Sequence, residues 1–292
     1  MPDAPEYPKS ADFHAQQLPY PASQADMTPA PFTDLGNYQA AHKLAGKVAL
    51  ITGADSGIGR AVAFAYAMEG ADIAILYNER DDDAAVTRAG VEGHGRRCLT
   101  IKADVRDSEA CRKAVAQTVA ELGGLNILVN NAAFQHAVHH FEEITEEQWR
   151  RTLETNIFGY FYMAQAALPH LTKGDVIINT GSIVGLIGHP LLVDYGASKG
   201  AIHGFTKSLA LNLADRGIRV NCIAPGPVWT PSIPATMPPE KVENYGNESP
   251  LGRPGQPEEL APAYVFLAAS DSSYITGTIV EVTGGVLASS KG

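Results

Sequence analysis

A chain of 292 residues with 45% hydrophobic content is long enough for one large α/β domain with a full core. Its formal net charge of −10 argues against a nucleic-acid partner. No apolar run approaches the ~18 residues that a membrane span needs.

Met1 to Glu6 lack the basic and apolar regions of a signal peptide. Cys98, Cys111 and Cys222 are scattered without disulfide or metal-ligand spacing. A cytoplasmic protein with buried free thiols is expected.

Residues 1–45 differ in composition from the rest of the chain. Prolines at 2, 5, 8, 19, 21, 29 and 31 preclude regular helix, and Tyr7, Phe13, Tyr20, Phe32 and Tyr38 are interspersed. A purely solvated tail would carry fewer aromatics. The segment is expected to be an extended arm lying along a surface, that of a neighbouring subunit.

From Gly46, apolar runs at 48–52, 72–77, 98–102, 126–130, 175–180, 218–223 and 278–282 read as strands. Helical stretches fall near 58–69, 81–93, 108–122, 145–171, 194–215 and 257–269. Such alternation predicts a single Rossmann-type, doubly wound α/β domain over 46–292, its sheet mostly parallel and covered on both faces. Ligands in such sheets bind at the carboxyl ends of the strands, beside the reversal of strand order. Asp81-Asp82-Asp83 is expected to start a helix, where its charges complement the dipole.

The first strand runs into Thr52-Gly53-Ala54-Asp55-Ser56-Gly57-Ile58-Gly59, and a helical stretch comes next. Strand, glycine turn and helix are the context of a dinucleotide site: glycine permits the tight turn and lets backbone N–H groups approach a pyrophosphate. The spacing is Gly-x-x-x-Gly-x-Gly, not the common Rossmann Gly-x-Gly-x-x-Gly.

Farther on, Tyr195 and Lys199 stand four apart on a predicted helix and so share a face. A phenol with an ordinary pKa of about 10 needs a nearby positive charge to ionise near neutrality, which Lys199 could supply. Ser182 follows the fifth strand, and its hydroxyl can both donate and accept. Asn156 lies inside a predicted helix, where its side chain or a local distortion could hold a proton-relaying water.

These residues, with Asn130-Asn131-Ala132-Ala133 and Pro225-Gly226, stand in an order and spacing that resembles the short-chain dehydrogenase/reductases, over roughly residues 44 to 288. Ala133, where the family usually has Gly, and Gly181, where Ser is frequent, depart from its pattern. The resemblance implies an NAD(P)-dependent oxidoreductase, independent of metal, that moves hydride between a nicotinamide and a small carbonyl or alcohol. Asn156, Ser182, Tyr195 and Lys199 would be the catalytic set, with Tyr195 the acid/base and Lys199 also bonding the nicotinamide ribose.

It further implies cofactor contacts from Gly53, Asp55, Ser56, Gly57, Ile58 and Gly59 at the turn. Tyr77, Asn78, Asp104 and Val105 would serve the adenosine end, with Asp104 as the adenine-contacting acid. Asn131, Ala132, Ala133, Pro225, Gly226, Val228 and Thr230 would serve the nicotinamide side, along with Tyr195 and Lys199.

Cofactor choice is split. NAD-preferring enzymes place an acid at the end of the second strand and NADP-preferring ones a cation; here Tyr77-Asn78-Glu79-Arg80 offers both. Glu79 and the aspartates after it tilt the expectation slightly to NAD(H).

Residues 226–255 lack strong periodicity and read as a substrate lid. Val184, Leu186, Leu192, Trp229 and Ile233 would give a largely apolar pocket for a small aldehyde, ketone or secondary alcohol. The arm, Trp229-Thr230-Pro231 and Arg253-Pro254-Gly255 resemble a bacterial subgroup of general-stress and aldehyde-reductase-like members, which leans the expectation toward carbonyl reduction. The family's habit of pairing through its long helices implies a homotetramer.

Three other readings compete. A hydrolase using Ser182 fails on spacing, because a nucleophile elbow needs glycines two before and two after the serine. Gly181 and Gly185 stand one before and three after. An epimerase of the extended branch lacks its turn spacing here. The remaining alternative, a catalytically silent dinucleotide sensor of the same fold, should have lost at least one of the four catalytic residues. His136, His139 and His140 are read as a loop near the site's mouth rather than as metal ligands.

Overall fold

The computed structural model describes residues 5–286. The outermost residues of the expected arm and catalytic domain, 1–4 and 287–292, lie outside the described residues.

The chain alternates strand and helix from β1 (Val48–Thr52) and α1 (Gly57–Met68) through β2 (Asp72–Tyr77), α2 (Asp81–Gly93), β3 (Cys98–Lys102) and α3 (Ser108–Leu122). β4 (Ile127–Asn130) leads to α4 (Glu146–Leu153), a π-helical turn over Glu154–Phe158, and α5 (Gly159–Ala167). β5 (Val176–Thr180), α6 (Val184–Ile187), α7 (Val193–Asn212) and β6 (Arg219–Pro225) come next. Two short helices, α8 (Ser232–Thr236) and α9 (Pro239–Val242), precede α10 (Pro257–Ala268) and β7 (Ile279–Val282).

The seven strands form one sheet in the order β3-β2-β1-β4-β5-β6-β7. Every pairing is parallel, so the sheet is wholly rather than mostly parallel. Parallel strands covered on both faces read as unbroken apolar runs. β1 obeys this: Ala49 and Ile51 pack under α1, α2 and α10, while Val48 and Leu50 face α3, α5 and α7. Strand order reverses between β1 and β4, which places the switch-point crevice beside the glycine turn.

The expected single helix over 145–171 is broken into three pieces. α4 starts at Thr145, whose hydroxyl accepts the Gln148 N–H at 3.1 Å. One widened turn then interrupts the ladder at Asn156, a distortion common at functional sites.

The arm lies on the body of its own chain, a correction to the neighbouring-subunit expectation. Two 3-10 turns, Ser10–Asp12 and Gln24–Asp26, punctuate an otherwise irregular course. Phe13 is fully buried, its ring centroid 4.7 Å from that of Trp229. Trp229 donates its indole N–H to the Pro29 carbonyl at 2.7 Å. Leu18 N–H reaches the Pro234 carbonyl at 2.9 Å, and Phe13 accepts from the Asn244 N–H at 3.0 Å. Proline and aromatic spacing indicates that an arm will dock; it does not say on which surface.

Candidate active site

β1 ends in a turn that only glycine can make. Gly53 has φ +62° and Gly57 φ +52°, both in the left-handed region. Gly59 serves closeness instead: a Cβ there would fall 2.2 Å from the Gly53 carbonyl oxygen. Gly59 therefore packs α1 onto the strand and does not reach the cleft wall, unlike its expected cofactor contact.

The turn is braced from β4. Asn131 donates its side-chain amide to the carbonyls of Thr52 and Gly53, each at 3.0 Å. The Thr52 hydroxyl accepts the N–H groups of Asn131 and Ala132 at 2.9 and 3.0 Å. Asn131 lines the cleft, but its amide N–H groups are spent on holding the turn.

One cleft of about 580 Å³ runs from this turn, along the strand ends, to Tyr195. The other expected cofactor positions, from Asp55, Ser56, Gly57 and Ile58 through Tyr77, Asn78, Asp104 and Val105 to Ala132 and Ala133, lie along it. Pro225, Gly226, Val228 and Thr230, expected on the nicotinamide side, also line it. Asp104 is already paired, its carboxylate 2.5 Å from the Arg106 guanidinium. Desolvation pushes the half-buried Asp55 carboxyl up to about 6, helped by the nearby Asp83 charge. Left-handed glycines, first-turn amides of α1 without helical acceptors and a cleft of this length fit a dinucleotide. The diphosphate would lie at Ser56 to Ile58 and the nicotinamide beside Tyr195 and Lys199.

Ser182, Tyr195 and Lys199 all line the far end of the cleft. Ser182 is set by the end of β5, and its hydroxyl accepts the Val184 N–H at 3.1 Å. Lys199 is 1% exposed, and its ammonium donates to the Thr180 carbonyl at 2.7 Å. Its Nζ lies 5.4 Å from the Tyr195 ring centroid. Burial pulls the Lys199 pKa down to about 7. Desolvation pushes the Tyr195 phenol up to about 12, against a smaller lowering by the Ser182 hydroxyl. Desolvation, not Lys199, sets the direction of the phenol's shift, because burial leaves the amine charged on only part of the population near neutrality.

Asn156 is fully buried and does not face the cleft. Its side chain accepts the Phe134 N–H at 2.8 Å and donates to the Phe134 carbonyl and the Ser198 hydroxyl, each at 2.9 Å. The amide is thereby committed, so of the two routes expected for it only the helix distortion stays open.

The substrate end differs from expectation in two residues. Trp229 is 0% exposed, packed against Phe13 of the arm, and Leu186 is outside the cleft wall. Tyr245 and Met237 join Val184, Leu192 and Ile233 on the apolar side, while Glu240, Glu243 and Asn244 make the rim polar. Sequence reasoning also missed Tyr20, Pro21 and Ala22, which line the cleft, with Pro21 against Arg80. Spacing within the domain could not find residues that a distant arm delivers.

A glycine turn, a switch-point crevice and a Ser-Tyr-Lys cluster at the ends of parallel strands define a dinucleotide-dependent oxidoreductase. Residues 53–287 match the family model described as "Enoyl-(Acyl carrier protein) reductase". The chain belongs to the short-chain dehydrogenase/reductase family.

It is 51% identical to "General stress protein 39" of Bacillus subtilis (strain 168) over 279 residues, covering 96% of this chain and 97% of that protein. It is 44% identical to "NADPH-dependent aldehyde reductase 1, chloroplastic" of Arabidopsis thaliana over 281 residues, 94% of this chain and 96% of that one. Among solved structures, a short-chain dehydrogenase from Burkholderia cenocepacia J2315 in complex with NADP superposes with TM-score 0.79 at 34% identity. The match covers 83% of this chain and 98% of that chain. This protein is an NAD(P)-dependent oxidoreductase of carbonyl and alcohol groups. Among the described residues no helix is long and apolar enough to cross a membrane.

Proposed function

We propose that the protein reduces small aldehydes or ketones, with Tyr195 as the proton donor, Ser182 holding the substrate oxygen and Lys199 tuning the phenol. The carrying observation is the convergence of Ser182, Tyr195 and Lys199 on the cleft that begins at the glycine turn. When bound, the reduced nicotinamide supplies the hydride. The oxygen that gains negative charge needs a donor, and a phenol raised to about 12 is protonated at neutral pH. The same group works as a base in the alcohol direction only when a positive charge stands beside it. Lys199 at about 7 carries that charge on part of the population near neutrality. Asn156 holds the Phe134 loop and Ser198, and so acts on the site through the widened turn. Residues 226–255 serve as the lid, apolar toward the substrate and polar at the rim.

The proposed cofactor preference is mild, with a slight lean to NAD(H). Supporting it, Glu79 and the desolvated Asp55 stand near the adenosine end and disfavour a 2′-phosphate. Arg80 and the NADPH-linked relatives weigh toward use of both. A homotetramer is proposed through the outer faces of α5 and α7 and the π turn between α4 and α5, supported by exposed Phe158, Phe161 and Leu211. The cytoplasm is the proposed compartment, consistent with three free cysteines.

A spectrophotometric screen of NADH and NADPH oxidation against aldehydes and ketones, with alcohols in reverse, tests the proposal. Turnover of an aldehyde or ketone is expected; binding of both dinucleotides without turnover of any substrate would favour the silent sensor.

A further inference from the structure

We propose that the N-terminal arm is part of the dinucleotide site, with Tyr20 as the outer wall of the adenosine end and Gln24 as the clamp of the phosphate-binding turn. This rests on the dinucleotide reading of the cleft. Tyr20, Pro21 and Ala22 line the same cleft as Gly53, Tyr77 and Asp104. Contacts of Tyr20, Pro21 and Gln24 fix this stretch there.

Gln24 is 7% exposed, and its side-chain carbonyl accepts the Gly57 N–H at 2.8 Å. First-turn amides have no acceptor within their own helix. The arm therefore claims one of them and fixes the Gly57 peptide plane, leaving the neighbouring amides for an anion. Gln24 is itself anchored, its N–H donating to the buried Asp83 carboxylate at 3.1 Å. Asp83 in turn pairs with Arg60 at 2.8 Å, so the clamp is tied to α1 and α2 together.

Arg80 also lines the cleft, and its Nε donates to the Pro21 carbonyl at 2.8 Å. That bond uses one of five guanidinium donors and leaves the others for a further acceptor. A cation at the adenosine end is thus held in place by the arm.

Tyr20 is 43% exposed, an unusual state for a ring so well supported. It meets Phe134 edge-on at 5.5 Å, and the Arg151 guanidinium lies 5.2 Å from its centroid and 4.3 Å from that of Phe134. Phe134 and Arg151 brace the ring, which stays partly exposed on a cleft that Asp104 and Arg106 also line. A fixed, exposed aromatic surface at that place suits a purine.

The test uses the full-length protein. Wild type, Tyr20→Ala, Tyr20→Phe and Gln24→Ala are titrated with NADH and NADPH by fluorescence and with ADP-ribose by calorimetry. Melting temperature without ligand is recorded for each. Tyr20→Ala and Gln24→Ala are expected to weaken all three ligands about tenfold, equivalent to about 1.4 kcal/mol. Tyr20→Phe, which keeps the ring, is expected to bind within about twofold of wild type. Wild-type affinity in both truncated variants, whether or not melting temperature falls, would overturn the proposal and make the arm purely structural. Failure of Tyr20→Phe to restore binding would overturn the role given to the ring. Failure of wild type to bind either dinucleotide would instead overturn the reading on which the proposal rests.

Discussion

Lys199 donates its buried ammonium to the carbonyl of Thr180 at 2.7 Å, tying the middle of α7 to the last residue of β5. The bond fixes the distance between the element carrying Tyr195 and the strand end that sets Ser182. It also keeps the amine out of water, with Tyr160 and Tyr195 rings 5.6 and 5.4 Å away. Proton transfer and stability are therefore in tension at one side chain.

Tyr195→Phe removes only the phenolic proton. Its expected effect is a fall in turnover of roughly 10²–10⁴-fold with dissociation constants for NADH and NADPH nearly unchanged. Steady-state kinetics with fluorescence titration checks both. Turnover like wild type would remove Tyr195 from its role.

Lys199→Met should raise the melting temperature of the protein without added cofactor while abolishing most turnover. The sign follows from the depressed pKa: about 7 when folded against about 10.4 when unfolded. Below pH 7 both states hold the proton, and the folded chain bears the full cost of the buried charge. Between about 7 and 10.4 only the unfolded chain holds it, so that cost fades as pH rises. Thr180 keeps a partner in the variant, because the Tyr160 hydroxyl also donates to its carbonyl at 3.1 Å. The stabilisation should be largest near pH 6 and vanish toward pH 10. A gain that grows with pH would reverse the assignment.

NADH and NADPH dissociation constants are expected to lie within about tenfold of each other, tilted to NADH. Arg80→Ala should weaken NADPH more than NADH, since only NADPH brings a 2′-phosphate. A hundredfold preference for NADPH, about 2.7 kcal/mol, would contradict the mild tilt.

The parallel sheet and the meeting of Ser182, Tyr195 and Lys199 at one cleft were legible because their signals are local. Val48–Ile51 is a continuous apolar run, and the glycines after it make a tight turn onto a helix. Two other features were not local. A π turn adds one residue to a helix without erasing apolar spacing, so 145–171 read as one helix, and the sequence left open whether the side chain of Asn156 or a local distortion served the site. Trp229 in an aperiodic segment could face either the cleft or a covering chain. Only the position of Phe13 decides it, more than two hundred residues earlier. Ionisation was the least legible: the sequence places Lys199 beside Tyr195, and burial sets which of them is charged.

Gly181→Ala should destabilise the protein and impair turnover, although it changes no functional group. A Cβ at 181 would fall 2.5 Å from His203 Nε2 and 2.7 Å from Cys222 Sγ, both buried. Overpacking of this kind costs about 1–3 kcal/mol, and relief by moving His203 would shift the helix that carries Lys199. His203→Ala should recover part of the loss. A double-mutant cycle by denaturant unfolding measures the coupling; strictly additive effects would place the strain elsewhere.

Phe13→Ala tests whether the arm supports the substrate end of the cleft. Phe13 is 0% exposed and packs on Trp229, whose indole is also bonded to Pro29, so the truncation removes one wall of the cluster containing Met237 and Val242. Loss of a buried phenylalanine costs about 3–5 kcal/mol where the site cannot collapse. Met237 also lines the substrate end of the cleft, so a loosened cluster should raise KM for the carbonyl substrate. Cofactor affinity should fall less than KM rises, because Tyr20 and Gln24 keep their own contacts with Phe134 and Gly57 although Leu18 and Met27 on either side belong to the Phe13 cluster. The mass in solution should stay the same, since Phe13 is buried within its own chain. A lower mass would restore the arm to the subunit interface, and an unchanged melting temperature with unchanged KM would make it a passenger.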